Sequence, residues 1–140
     1  LLGEDAPDAE EMVVRWLSPL LRTAVERTND EVLPFCQVTQ VDGADDPNEG
    51  IDDPVIQLDI LDTARSGMLA AQAAKLTARR VHRRMTLLAR QSPTVTLSDG
   101  SHANADYVTP LLKPRRMEYP NERVVRYVAR YQLGLSYVAV

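Results

Sequence analysis

"VIQLDILDTARSGMLAAQAAKLTARRVHRRMTLLA" (residues 55–89) switches period partway through. Ile56, Leu58 and Ile60 alternate with Gln57 and Asp59, the two-residue rhythm of a half-buried strand. The rest is rich in strong helix formers. Leu69, Ala73 and Leu76 make one line at helical spacing, and Ala70, Ala74, Ala78, Val81, Met85 and Leu88 make the adjoining line. Asp62 or Thr63 is placed to cap this helix, and Ser92-Pro93 to end it near Ala89. A stripe so full of alanine predicts close packing against a sheet or another helix.

On the N-terminal side, "VLPFCQVTQV" (32–41) predicts a strand, paired with 55–62 as a hairpin whose tip is an acidic loop at 42–54. Residues 1–7 predict a flexible terminus, acidic and without the basic stretch of a signal peptide. Asp8 caps a first helix with Glu11 three positions on. Its apolar pairs Met12/Val13, Trp16/Leu17, Leu20/Leu21 and Ala24/Val25 carry it to Thr28. Pro19 falls inside, which predicts a bent helix or two short ones.

Toward the C-terminus, 94–100 predicts a short strand and turn. "DYVTPLL" (106–112) predicts a strand interrupted by Pro110, hence at an edge or bulge. Residues 113–122, "KPRRMEYPNE", predict a loop rich in proline and arginine. The segment 123–139 alternates Val125, Tyr127, Ala129, Tyr131, Leu133 and Leu135 with Arg126, Arg130 and Gln132, the clearest strand of the chain, with Gly134 as a candidate bend or bulge. The expectation is one α+β domain over 1–140. It has a mainly antiparallel sheet of four or five strands, two helices on one face, and the order α-β-β-α-β-β.

The chain has 140 residues and a net charge of -4. That total hides an asymmetry: residues 1–63 carry 16 acidic and 3 basic side chains, a balance of -13, and residues 64–140 carry 4 and 13, a balance of +9. No apolar run approaches the ~20 residues of a membrane span. A lone cysteine excludes an internal disulfide, and Cys36 reads as a small buried hydrophobe.

No stretch carries a catalytic or cofactor signature. Ser101-His102 lacks any nucleophile elbow, and phosphate-binding glycine patterns are absent. Two histidines and one cysteine do not make a zinc site. "DDPNEGIDD" (45–53) misses the spacing of a calcium loop. The expectation is therefore no catalytic, cofactor or metal residue. The remaining candidates are charged surfaces. "RRVHRR" (79–84) places Arg79 and Arg83 on one ridge with Lys75, and Arg80 and Arg84 on another. Arg115 and Arg116 follow in the 113–122 segment, and Asp45, Asp46, Glu49, Asp52 and Asp53 lie in the acidic hairpin. The basic cluster reads as a solvated helix face, a protein contact or a nucleic-acid contact. An acidic chain without aromatics on that helix speaks against the last.

The chain resembles the tail terminator proteins of long-tailed, non-contractile bacteriophages. The resemblance rests on the acidic amphipathic opening helix leading into "LPFCQV", on "DDPVIQLDILD" delivering into "ARSGMLAAQAAKLTARRV", on the proline-bearing loop, and on the closing "RVVRYVARYQLGLSY". It covers residues 8–138. Pro19 and the acidic insert at 42–53 have no match in it. The resemblance implies a structural virion protein, assembled in the host cytoplasm. Such a protein forms a ring, usually of six copies, on the head-proximal end of the tail tube, where it stops tube polymerisation and joins the tail to the head's connector. It implies no reaction, cofactor or membrane, and DNA that passes through without specific binding. A different head–tail joining or neck protein, a small α+β enzyme or ligand-binding domain, and a nucleic-acid-binding regulator are the alternatives.

Overall fold

The computed structural model describes residues 3–28 and 32–139. In chain order the elements are β1 (Glu4–Asp5), α1 (Ala9–Leu17), β2 (Arg22–Ala24), β3 (Phe35–Asp46), β4 (Ile51–Thr63), α2 (Ala70–Gln91), β5 (Val95–Thr96), β6 (His102–Ala103), β7 (Ala105–Met117), β8 (Val124–Ser136) and β9 (Val138–Ala139). Five strands form the main sheet in the order β2-β3-β4-β8-β7. It is antiparallel except where β2 runs parallel to β3. The fold is α+β, as the alternation of periods predicts.

One sheet face carries Cys36, Val38, Ile56, Leu58, Ile60, Ala129, Tyr131, Leu133 and Leu135, all buried against both helices in one continuous core. From α1 come Met12, Val13 and Leu17, and from α2 Ala78, Val81, Met85 and Leu88. The alanines let α2 lie close over β4, β7 and β8. The opposite face has no helix on it. There Arg126 forms an ion pair with Asp59 (2.6 Å), and Arg130 Nε donates to Gln57 Oε1 (3.0 Å). Val41, Val55, Leu111, Leu112, Met117 and Val128 border this polar centre.

Several boundaries differ from the sequence expectation, each for a physical reason. The first helix stops at Leu17, one residue before its C-cap Ser18 and two before Pro19. The chain beyond turns into β2, so 22–24 pair with Phe35, Cys36 and Gln37. The opening residues are not all loose, because Glu4 and Asp5 pair with Ala139 and Val138; residues 1 and 2 lie outside the described residues. The acidic segment 42–54 is mostly strand. Asp42 to Asp46 pair with Val55 to Ile51, and only residues 47–50 form the turn. Ladder hydrogen bonds come from the backbone and tolerate acidic side chains that face water.

The 113–122 segment is likewise strand as far as Met117. β7 is a sheet edge, where prolines are tolerated, and register shifts at Pro110/Leu112 and Leu112/Arg115 absorb the two that it contains. The 94–100 strand shrinks to Val95–Thr96, paired with Ala103 and His102. At Gly134 β8 keeps its register with β4, whereas the ladder to β7 shifts register between Ala105 and Tyr107, opposite Leu135 and Gly134, which is the bulge alternative rather than a bend. Gly134 is also a close-approach position: a Cβ there would sit 2.1 Å from the Tyr107 ring.

The second helix begins at Ala70, not at Asp62 or Thr63. Asp62 is fully buried. Its carboxylate accepts from the Thr77 hydroxyl on α2 (2.7 Å), from Arg65 Nη2 (3.1 Å) and from the Thr63 N–H (2.8 Å). Arg65 also donates to Thr77 Oγ1 (2.9 Å). Between these partners the chain makes a tight reversal with a bridge from Arg65 to Met68, taking positive φ at Ser66 and Gly67. The carboxylate thus ties the end of β4 to the second turn of α2.

Removing one partner from a buried hydrogen-bonded charge costs about 3–5 kcal/mol. Arg65 is partly exposed and can rehydrate, which places the expected cost at the lower end. Asp62→Ala is expected to lower stability by about 3 kcal/mol in urea unfolding; a loss under about 1 kcal/mol removes the anchoring role assigned to this carboxylate.

Candidate interaction surfaces

The inner side of α2 is fixed by its buried residues, so its other sides are determined too. Arg80 is exposed, and Arg84 is spent inside the fold. Arg84 Nε donates to the Trp16 carbonyl (2.6 Å), and Trp16 Nε1 donates to the Arg84 carbonyl (2.7 Å). The guanidinium lies 4.0 Å from the Trp16 ring centre. This clamp joins the end of α1 to α2, and its cation–π component is worth on the order of 1–2 kcal/mol. A sequence scan gives no sign that Trp16 and Arg84 meet, because nothing local couples residues 68 positions apart.

The other flank of α2 carries two shallow pockets that meet at Arg79 and together form one groove-like strip. Met68, Gln72, Lys75, Leu76 and Arg79 line its first part. Arg79, His82, Arg83, Thr86, Lys113 and Pro114 line the rest, the last two coming from β7. Lys75, Arg79 and Arg83 thus share one ridge, and of the 113–116 run it is Lys113 that joins them. Arg115 and Arg116 are exposed on β7 outside this groove. None of the groove cations forms an ion pair among the described residues, where the pairs are Arg15–Glu11, Arg65–Asp62 and Arg126–Asp59.

His82 differs from its neighbours. Burial, and then the Lys113 charge, hold its pKa below the ordinary histidine value. Its Nδ1 lies 2.7 Å from the Tyr131 hydroxyl, which is itself buried and pushed up in pKa. A protonated tyrosine beside a neutral imidazole donates to Nδ1, leaving the imidazole proton on Nε2. His82 is thus a neutral floor between cations.

The acidic hairpin lies at the end of the sheet where β8 finishes and β7 begins, since Ile51 pairs with Ser136 and Ala105 with Leu135. Gln40 to Glu49 are all exposed. Tyr137 donates its hydroxyl to Asp45, and Tyr107 donates to Asp53 (2.6 Å), which raises both phenol pKa values to about 12. Asp46 Oδ1 accepts from the Asn48 and Glu49 N–H groups and shapes the turn. Asp45 and Asp52 face each other across the hairpin. Partial burial, then the charges of Asp45 and Asp53, push the Asp52 pKa above its ordinary value. Asp45, Asp46, Glu49, Asp52 and Asp53 have no ion-pair partner among the described residues. No group of three or more metal-ligating side chains converges among those residues.

Cys36 is buried, and burial first, then Asp59, raises its thiol pKa far above the reactive range. Ser101 hydrogen-bonds Asp99 (2.6 Å), and His102 meets Thr96 (2.9 Å), so Ser101 and His102 serve separate turn contacts. Among the described residues no helix is long and apolar enough to cross a membrane. No protein-family model matches the chain, and comparison with curated proteins finds no significant match.

Two titrations follow with opposite signs. The folded state depresses the His82 pKa, so that group's contribution is intact above the unfolded histidine pKa of about 6.5 and is lost as pH falls through the folded value. Wild type should therefore lose more stability between pH 7 and pH 5 than His82→Asn; parallel losses contradict the assignment. The folded state raises the Asp52 pKa, so Asp52 weakens the fold once pH rises through that value. Asp52→Asn should raise the thermal midpoint at pH 7 and leave it unchanged near pH 3, where Asp52 is protonated in both states; a lowered midpoint at pH 7 contradicts the repulsion.

Proposed function

We propose that the chain is a subunit of a tail-terminator ring: several copies cap the head-proximal end of a phage tail tube, stop its polymerisation and present the surface that joins the head's connector. The observation that carries this reading is the separation of two complementary surfaces on one rigid body. The anionic hairpin sits at one end of the sheet. The cationic groove runs along α2, which ends near the hairpin, because Ser92 reaches Ala105 (3.4 Å), and starts at the far end. Lys75 lies 17 positions before Ser92, roughly 25 Å away along the helix. A subunit with an acidic patch at one end of the sheet and a basic strip along a helix flank suits heterologous contacts, which close into a ring when the rotation per subunit allows.

The resemblance supports the same reading, including a stoichiometry of six and a place in the virion reached after assembly in the host cytoplasm. In that role the protein's work is recognition between proteins, with the tube protein and the connector as further partners. It performs no reaction and uses no cofactor, and DNA traverses the lumen without specific binding. Tight, sequence-selective DNA binding would hinder passage during ejection.

Electron microscopy of the purified chain mixed with tail tubes tests this directly. The expected image is a ring on one end of each tube, with tube length arrested. Bare tube ends beside decorated, filled heads assign the chain to the neck instead. Bare tubes and bare heads overturn the reading.

A further inference from the structure

Resting on that ring reading, we propose that the groove along α2 is the seat of the β3–β4 hairpin tip of a second copy of this chain. The groove offers Lys75, Arg79, Arg83 and Lys113 above an apolar floor that includes Met68, Leu76 and Pro114. From Gln72 to Thr86 it runs roughly 21 Å along the helix. The tip offers Asp45, Asp46, Glu49, Asp52 and Asp53 around Ile51, which is 41% exposed. Each surface thus pairs one sign of charge with an apolar centre, and the signs are opposite.

A second observation points to an occupant of this chemistry. Like charges directly opposite each other on neighbouring strands destabilise a sheet. Asp45 and Asp52 stand in that relation, with Asp53 adjacent and no cation paired to them among the described residues. Tyr137 and Tyr107 hold Asp45 and Asp53 in place by donating to them, and neither neutralises the charge. The tip is held rigid in a repulsive arrangement that an external row of cations would relieve. On α2 the cations repeat at four-residue intervals, about 6 Å apart along the axis. The Cβ atoms of directly opposite residues lie about 5 Å apart, so one guanidinium can reach the side chains of both members of the pair.

Edge-to-edge strand pairing is a poorer route to the same contact. β7 is the exposed edge on the groove side, and Pro110, Lys113, Pro114, Arg115 and Arg116 blunt it against backbone pairing. Recognition there falls to side chains.

The test uses two charge-reversed variants of the full chain. One carries Arg79→Glu and Arg83→Glu in the groove, and the other carries Glu49→Arg and Asp52→Arg at the tip. Arg79, Arg83 and Glu49 are exposed and Asp52 is partly buried, and circular dichroism confirms that each variant is folded. Sedimentation at low salt should show self-association of wild type, with each variant alone weakened at least tenfold. An equimolar mixture should restore association, because the intact groove of one variant accepts the intact tip of the other, and the two reversed surfaces also match. As a second measurement, cysteines replacing Glu49 in one copy and Lys75 in another should cross-link under mild oxidation. Wild type that associates while both variants associate equally well, with no 49–75 cross-link, overturns this contact and leaves the ring reading standing. Wild type that neither associates nor caps tube ends overturns both.

Discussion

A buried carboxylate decides where the second helix begins and which way it faces. Asp62 sits at the end of β4 with no exposure, and it is bonded to the chain on both sides of the turn. A charge without water is tolerable only when every lone pair is used, so its partners are held in one geometry. Thr77 is drawn inward, the Arg65–Met68 reversal is closed, and α2 is launched antiparallel to β4 with its alanine stripe on the sheet. The rotation of α2 about its axis is then no longer free. That rotation puts Arg79 and Arg83 beside β7, with Lys75 on the same ridge, and Arg84 beside α1.

The basic run at 79–84 consequently does several jobs. Val81 is core, Arg84 clamps Trp16, His82 is a neutral hydrogen-bond partner of Tyr131, and Arg79 and Arg83 are left for solvent or a neighbour. A run that looks uniform in sequence is divided by the helical repeat among core, helix packing and surface. The acidic hairpin is divided in the same manner: Asp46 builds the turn, Asp45 and Asp53 are held by tyrosines, and Asp52 bears the repulsion.

The legible parts of the fold were those written in a local period. The alternation at 55–62 and 125–135 and the helical repeat at 70–89 place the sheet core and α2, except that Leu69, read as part of the helical stripe, is exposed ahead of the helix, and Asp8 caps α1 as its spacing predicts, accepting from the Glu11 N–H (3.1 Å). The parts written in backbone pairing were hidden. Residues 42–46 and 113–117 carry the charged and proline residues of loops, yet neighbouring strands supply their ladder partners. Asp62 was misread because an aspartate ahead of an alanine-rich run carries a capping signal, and only the long-range partner Thr77 reveals its other use. Among the candidate surface residues, the ridge of Lys75, Arg79 and Arg83 followed from helical spacing. Lys113 and the Arg84 clamp required tertiary contacts.

On the proposed reading, one chain presents opposite, self-complementary surfaces that close head to tail. Native mass spectrometry of the wild-type protein across ionic strength tests it most directly. Charge-driven contacts between exposed groups weaken as the screening length shrinks from about 10 Å at 0.1 M salt to about 3 Å at 1 M. A ring held by these surfaces is one discrete closed oligomer at low salt, six copies on the terminator reading, that dissociates to monomer as salt is raised. A monomer at every ionic strength, or an assembly that high salt leaves intact, would contradict it.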